Sequence, residues 1–414
     1  MTWQDGRLRF AVGFEDTFVP QARIGARPLD EYELTQHYHF WSQDLSRAAE
    51  VGATTVRWGI PWYRVNPEQG RWDFSWLDRV VERFDKLGLE VIVDLMHYGT
   101  PLWLDNEFLN ASYPQRVAEY AGRVAGRYGT ALAHYTPLNE PTVNALFCGA
   151  YGVWPPYLRG DDGFVRMVRA LTRGIVLTQD AVVAAAPQAT FVHVEAASRF
   201  EGDEAMRTEV EHLRERSFLI QDLVTGRVGA DHPLLGYLTE HGFTDDDLSW
   251  AVTHTAQPDV MGVNYYPQLS TDVLEAGQPH VGSLADPRRH RNAWTEGLRE
   301  VLEAFARRYG RPVFLTETCV TGSVRERLDW LDASVAEVRR ARGEGLDVVG
   351  YTWWPLTDMV EWTYREAVGP VMEHHLPMGL FDLVEDGAGV LRRVRNPVAW
   401  RYAEHAAGRL AAVL

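Results

Sequence analysis

The chain has 414 residues, 46% hydrophobic and 24% charged, with a formal net charge of −16. That balance belongs to a globular protein, and the acidic excess argues against nucleic acid or an anionic membrane surface as a partner. Cys148 and Cys319 are too few for a disulfide framework and lack metal-site spacing. The N-terminal MTWQDGRLRFAVGF has no apolar signal core, and no run approaches 18 uninterrupted apolar residues, so a cytoplasmic protein without membrane segments is expected. Lys86 is the only lysine, a skew read as codon bias.

In chain order, short β-rich runs alternate with amphipathic helical patterns. FAVGF at 10–14 precedes a helical pattern at 31–51, and TVRW at 55–58 precedes one at 74–87. VIVDLM at 91–96 leads to 112–128, and the run at 134–138 leads to 163–185. TFVHVEA at 190–196 is followed by a pattern at 203–223, and DVMGVNY at 259–265 by one at 293–309. PVFLT at 312–316 precedes 324–342, and VVGYTW at 348–353 precedes 398–410. Gly52, Gly88, Gly129, Gly310 and Gly345 follow helical stretches and suit left-handed caps. Eight βα units without a linker or low-complexity stretch predict one domain over residues 1–414, a (β/α)8 TIM barrel.

Chemistry in such barrels gathers at the C-terminal strand ends. Sorted that way, the second strand offers Arg57, the third His97, and the fourth Asn139 and Glu140 between Pro137 and Pro141. The fifth offers His193 and Glu195, the sixth Asn264 and Tyr266, the seventh Glu317, and the eighth Trp354. Glu140 and Glu317 therefore point into one mouth. Two facing carboxylates suit acid/base work at an acetal carbon: a separation of ~5–5.5 Å suits double displacement, a wider one inversion through water. One must stay protonated to donate, and Arg57 would keep the other ionised. His193 and Glu195 alternate on one strand face, where a satisfied buried polar pair competes with a ligand contact. The pairs His37/His39 and His374/His375 do not converge as zinc ligands, so neither a metal nor a cofactor is expected.

Seven segments in order resemble glycoside hydrolase family 1, the retaining β-glucosidase and β-galactosidase group. TPLNEP at 136–141 is similar to its acid/base motif and VFLTET at 313–318 to its nucleophile motif. VRWGIPWYRVNP at 56–67, HYGTPLWL at 97–104 and DVMGVNYY at 259–266 match three further segments. WPLTDMVEW at 354–362 and GLFDL at 379–383 complete the set. The resemblance implies a β-glycosidase acting on small glycosides, with Glu140 as acid/base and Glu317 as nucleophile. It implies that Asn139 bonds the 2-hydroxyl and that Arg57, Asn264 and Tyr266 orient the nucleophile. His97, Glu361 and Trp362 would bind the glycon, over Trp354 as a floor.

The departures concern the glycon. Pro20 stands where the family has a sugar-binding Gln, so Gln21 could serve only through a one-residue slip. The same loop carries Glu15 and Asp16, which with Glu195 are secondary candidates; the two loop acids suggest an amino-sugar glycon. Thr318–Cys319 replaces Asn-Gly after the nucleophile, and LPMGL replaces R-F-G-L. A barrel that only binds sugar, and a transglycosidase, stay open as alternatives. Glu361 would repel a 6-phosphate. The aglycone side is expected from the loops at 147–159 and 268–291, and the sequence is silent on oligomeric state.

Overall fold

The computed structural model describes Trp3 and residues 5–277 and 289–409. Eight strands close into a barrel: β1 (Arg9–Gly13), β2 (Thr55–Gly59), β3 (Glu90–Asp94), β4 (His134–Thr136), β5 (Thr190–Ala196), β6 (Val260–Asn264), β7 (Val313–Glu317) and β8 (Val348–Trp353). Each pairs in parallel with its sequence neighbours, and β1 closes the ring against β8 through Phe10 opposite Tyr351 and Val12 opposite Trp353. The strands are buried on both faces, as β-branched runs covered by helices must be. Inside the barrel Ala11, Ile92, Val192, Val194, Val260, Phe314 and Val349 form one apolar plug, closed at the bottom by Trp3. The expected (β/α)8 barrel is the observed fold.

The surrounding helices follow the sequence with instructive exceptions. The pattern at 31–51 is two helices, Glu31–Leu34 and α1 (His37–Glu50). Between them Gln36 is left-handed, with φ 58°. Its side-chain amide ties this break to the C-terminal hairpin, donating to the Gly389 carbonyl and accepting from Leu391 N. The pattern at 203–223 likewise divides into Arg207–Arg216 and α2 (Leu219–Val224). The last expected helix is shorter, Pro397–Ala406, and position 410 lies outside the described residues. Gly88 and Gly310 adopt the left-handed cap. Gly129 does not: its φ is −58°, and a Cβ there would lie 2.6 Å from the Ala125 carbonyl oxygen and 2.8 Å from Ala186 Cβ. Close packing, rather than backbone handedness, accounts for that glycine.

Two local devices deliver the candidate residues to the mouth. Pro137 has no N–H for the ladder, so β4 ends at Thr136 instead of reaching 138. The ladder then resumes for two residues, Asn139 N donating to the Met96 carbonyl at 2.9 Å and Glu140 N to the Val194 carbonyl at 3.2 Å. On the far side, the β6–β7 register slips between Leu315 and Glu317, which places Glu317 opposite Asn264. Such a bulge re-aims a side chain at a barrel rim. Around the mouth run short hairpins, including Phe18–Val19 with Leu29–Asp30 and Met359–Val360 with His375–Leu376.

Candidate active site

Glu140 follows a strand end and precedes Pro141, which opens the short helix Pro141–Ala145. Its backbone is left-handed, with φ 43°, and it is held from below. Glu195 on β5 accepts from Thr142 N at 3.3 Å and from Thr142 Oγ1 at 2.9 Å, locking the turn that carries Glu140. Glu195 is thus placed beneath the mouth. Its neighbour His193 is equally occupied, between Gln179 Oε1 at 2.7 Å and Gln221 Nε2 at 2.8 Å. Burial lowers the His193 ring to about 4, so it is neutral. The satisfied polar arrangement is the one found.

The two carboxylates meet different partners. Glu317 Oε1 takes the Arg57 guanidinium, and Oε2 accepts from Tyr266 Oη at 2.6 Å. Glu140 Oε2 accepts from Tyr98 Oη, and Oε1 from Asn264 Nδ2 at 2.8 Å. One acid faces a cation and a phenol, the other two neutral donors. Arg57 is fully buried and reaches Asp94 at 2.7 Å and Asn139 Oδ1 at 2.6 Å as well. Burial pushes Glu317 up to about 8; Arg57 pulls against it, and the Glu140 charge adds to the rise. Thr316 Oγ1 fixes the Asn264 amide by donating to its Oδ1 at 2.7 Å.

Asn139 is spoken for on every atom. Its Oδ1 accepts from Arg57, while Nδ2 lies 2.9 Å from His97 Nε2 and 3.0 Å from Tyr98 Oη. An amide nitrogen only donates, so His97 Nε2 accepts, and its Nδ1 carries the proton toward Asp16 at 2.8 Å. Burial raises Asp16 to about 6, against the pull of His97. Trp354 is buried between the His97 ring, stacked at 5.8 Å, and the Arg57 guanidinium 4.8 Å from its centroid. Its Nε1 donates to Glu15 Oε2 at 2.8 Å.

A cavity of about 370 Å3 opens over the pair. Glu15, His97, Glu140, Tyr266, Glu317, Glu361 and Trp362 line it, whereas Gln21, Asp16, Asn139, Asn264, Arg57 and Trp354 stand behind or beside it. Gln21 spends its amide on Thr100, donating to its carbonyl at 3.0 Å. The rest of the wall carries an apolar stretch, Phe147, Leu269, Met359, Leu376 and Met378, beside Tyr98, Gln268, Cys319, Thr321 and Thr363. The loops expected on the aglycone side do contribute, through Phe147, Gln268 and Leu269; residues 278–288 lie outside the described residues.

Sequence reasoning passed over Asp94 and Tyr98. Asp94 was signalled by a lone acid inside VIVDLM, Tyr98 only by its place after His97. Asp16, Asp94 and His97 converge closely enough to suggest a metal, as do Glu215, Asp222 and His232. In both groups an arginine already pairs with the carboxylates, Arg57 with Asp94 and Arg308 with Glu215 and Asp222. Among the described residues no helix is long and apolar enough to cross a membrane.

Glycosyl hydrolase family 1 matches the chain over residues 15–218 and 239–369. β-Glucosidase A of Thermotoga maritima is 26% identical over 373 residues, covering 81% of each chain. A bifunctional β-D-glucosidase/β-D-fucosidase of Bifidobacterium breve is 28% identical, covering 79% of this chain and 80% of its own. An aryl-phospho-β-D-glucosidase of Bacillus subtilis is 24% identical over 87% of this chain and 83% of its own. Among solved structures, a family 1 β-glucosidase from T. maritima superposes with a TM-score of 0.78 at 19% identity, over 98% of this chain and 99% of that one. That structural likeness speaks to the fold.

Proposed function

The chain belongs to glycosyl hydrolase family 1 and is a glycoside hydrolase, and on that premise we propose a retaining β-glycosidase with Glu317 as nucleophile and Glu140 as acid/base. In this reading Glu317 attacks the anomeric carbon while Glu140 protonates the leaving oxygen. Glu140 then takes a proton from the water that opens the glycosyl-enzyme. The observation that carries the reading is the unequal dressing of two carboxylates over one cavity. Glu317 has a cation to stabilise the charge it carries as nucleophile, whereas Glu140 has only the neutral donors Tyr98 and Asn264.

Glu361, Trp362 and His97 meet the glycon from the cavity wall with Tyr266, backed by Asn139, Trp354, Arg57 and Asn264. The apolar wall around Phe147, Leu269 and Met378 favours a small glycoside with an apolar aglycone. Among the described residues that line the cavity there is no Lys or Arg, and Glu361 is present, which disfavours a phosphorylated glycon. The test is a panel of nitrophenyl β-glycosides on wild type and Glu317→Ala. Release by wild type alone supports the reading and names the glycon; equal release by both contradicts it. The same wall favours transfer to an alcohol over transfer to water, read as alkyl glycoside formed when butanol is added.

A further inference from the structure

We infer that Tyr98 is a positioning residue for the general acid: its phenol holds the Glu140 carboxyl in place against the leaving oxygen. The inference rests on the acid/base role proposed for Glu140.

Tyr98 follows His97 in the turn four residues past the end of β3, with φ 79°, a left-handed conformation unfavourable for any residue with a Cβ. The chain is held there from several sides. The Tyr98 carbonyl accepts from Asn144 Nδ2 at 3.2 Å. A Cβ on the next residue, Gly99, would lie 2.0 Å from the Phe18 carbonyl oxygen, so the turn has no slack. The ring is buried against Trp154 at 5.0 Å and Trp362 at 5.5 Å. A strained backbone and a fixed ring together aim one atom, the hydroxyl oxygen, at Glu140.

The direction of its proton follows from the neighbours. Asn139 Nδ2 donates to the Tyr98 oxygen, so the phenolic hydrogen turns to Glu140 Oε2, which is where it points. The phenol therefore fixes the Glu140 carboxyl and keeps it from swinging away from the leaving oxygen. The acid motif and the strand-three motif meet at this oxygen as well as between Asn139 and His97.

The test is Tyr98→Phe, which keeps the ring, its volume and the backbone strain and removes only the oxygen. The kcat/KM for a poor leaving group such as an alkyl glycoside should fall at least ~10-fold, and that for a dinitrophenyl glycoside, which needs no protonation, less than ~3-fold. Equal losses on both substrates would overturn the inference, since a purely structural role predicts that pattern. Difluorotyrosine placed at position 98 keeps the hydroxyl and covers the case of a poorly folding Phe variant: it should keep kcat/KM on the alkyl glycoside within ~3-fold of wild type, and a loss of ~10-fold or more overturns the inference. A wild type inert on every dinitrophenyl glycoside tried would overturn the glycosidase reading, and this inference with it. An active wild type whose leaving-group dependence ignores position 98 would overturn this inference alone.

Discussion

At Glu317 burial and charge work against each other, and both are measurable. The carboxyl is raised in the folded protein, to about 8, first by burial and further by the Glu140 charge. A carboxyl whose folded-state value lies above its unfolded value binds more protons when folded, so it weakens the fold as pH rises from the ordinary carboxylate range toward 8. Glu317→Gln should therefore raise the melting temperature, by more at pH 8 than at pH 5, in parallel calorimetric scans; a uniform or falling difference would contradict this. Arg57 is the counterweight. It has no solvent exposure and pairs with Asp94 and Glu317. Arg57→Met strands two buried carboxylates and should cost about 3–5 kcal/mol in urea unfolding.

At the scale of elements, strand ends and the turns after them decide what reaches the mouth. The AHYTPLNEP stretch shows why sequence pattern alone could place Glu140: Pro137 stops the strand, two backbone bonds resume it, and Pro141 starts the helix. What periodicity could not show was the support underneath. Glu195 alternated with His193 in a strand pattern, and its partner Thr142 lies 53 positions away in sequence. Glu195→Ala leaves the buried Thr142 N–H unpaired and should cost about 1–3 kcal/mol by denaturant titration. It should also lower kcat more than it raises KM, because the turn bearing Glu140 loosens; a stability loss with intact kcat would confine Glu195 to folding. The helix break at Gln36 was illegible for a related reason, since the groups that hold it, Gly389 and Leu391, come from the far end of the chain. Tyr98 was missed because a tyrosine after a strand-end histidine reads as packing until its hydroxyl is placed.

For the whole molecule, closure of eight parallel strands brings residues from positions 57 to 317 within hydrogen-bond reach. The βα rhythm was legible because each unit repeats one local pattern, and the acids were legible because they end strands. The glycon pocket was not, because it depends on loops. The structure gives Gln21 to Thr100 and puts Glu15 on the cavity wall beside His97. The account's central claim is that Glu317 bonds covalently to the sugar. Its most direct test is to incubate the protein with a dinitrophenyl 2-deoxy-2-fluoro-β-glycoside of the glycon that the panel identifies, and then to map peptides by mass spectrometry. The account predicts one fluoroglycosyl unit on the peptide carrying Glu317, absent from Glu317→Gln. Turnover of the parent glycoside with no adduct, or with the adduct on Glu140 or Glu15, would contradict it.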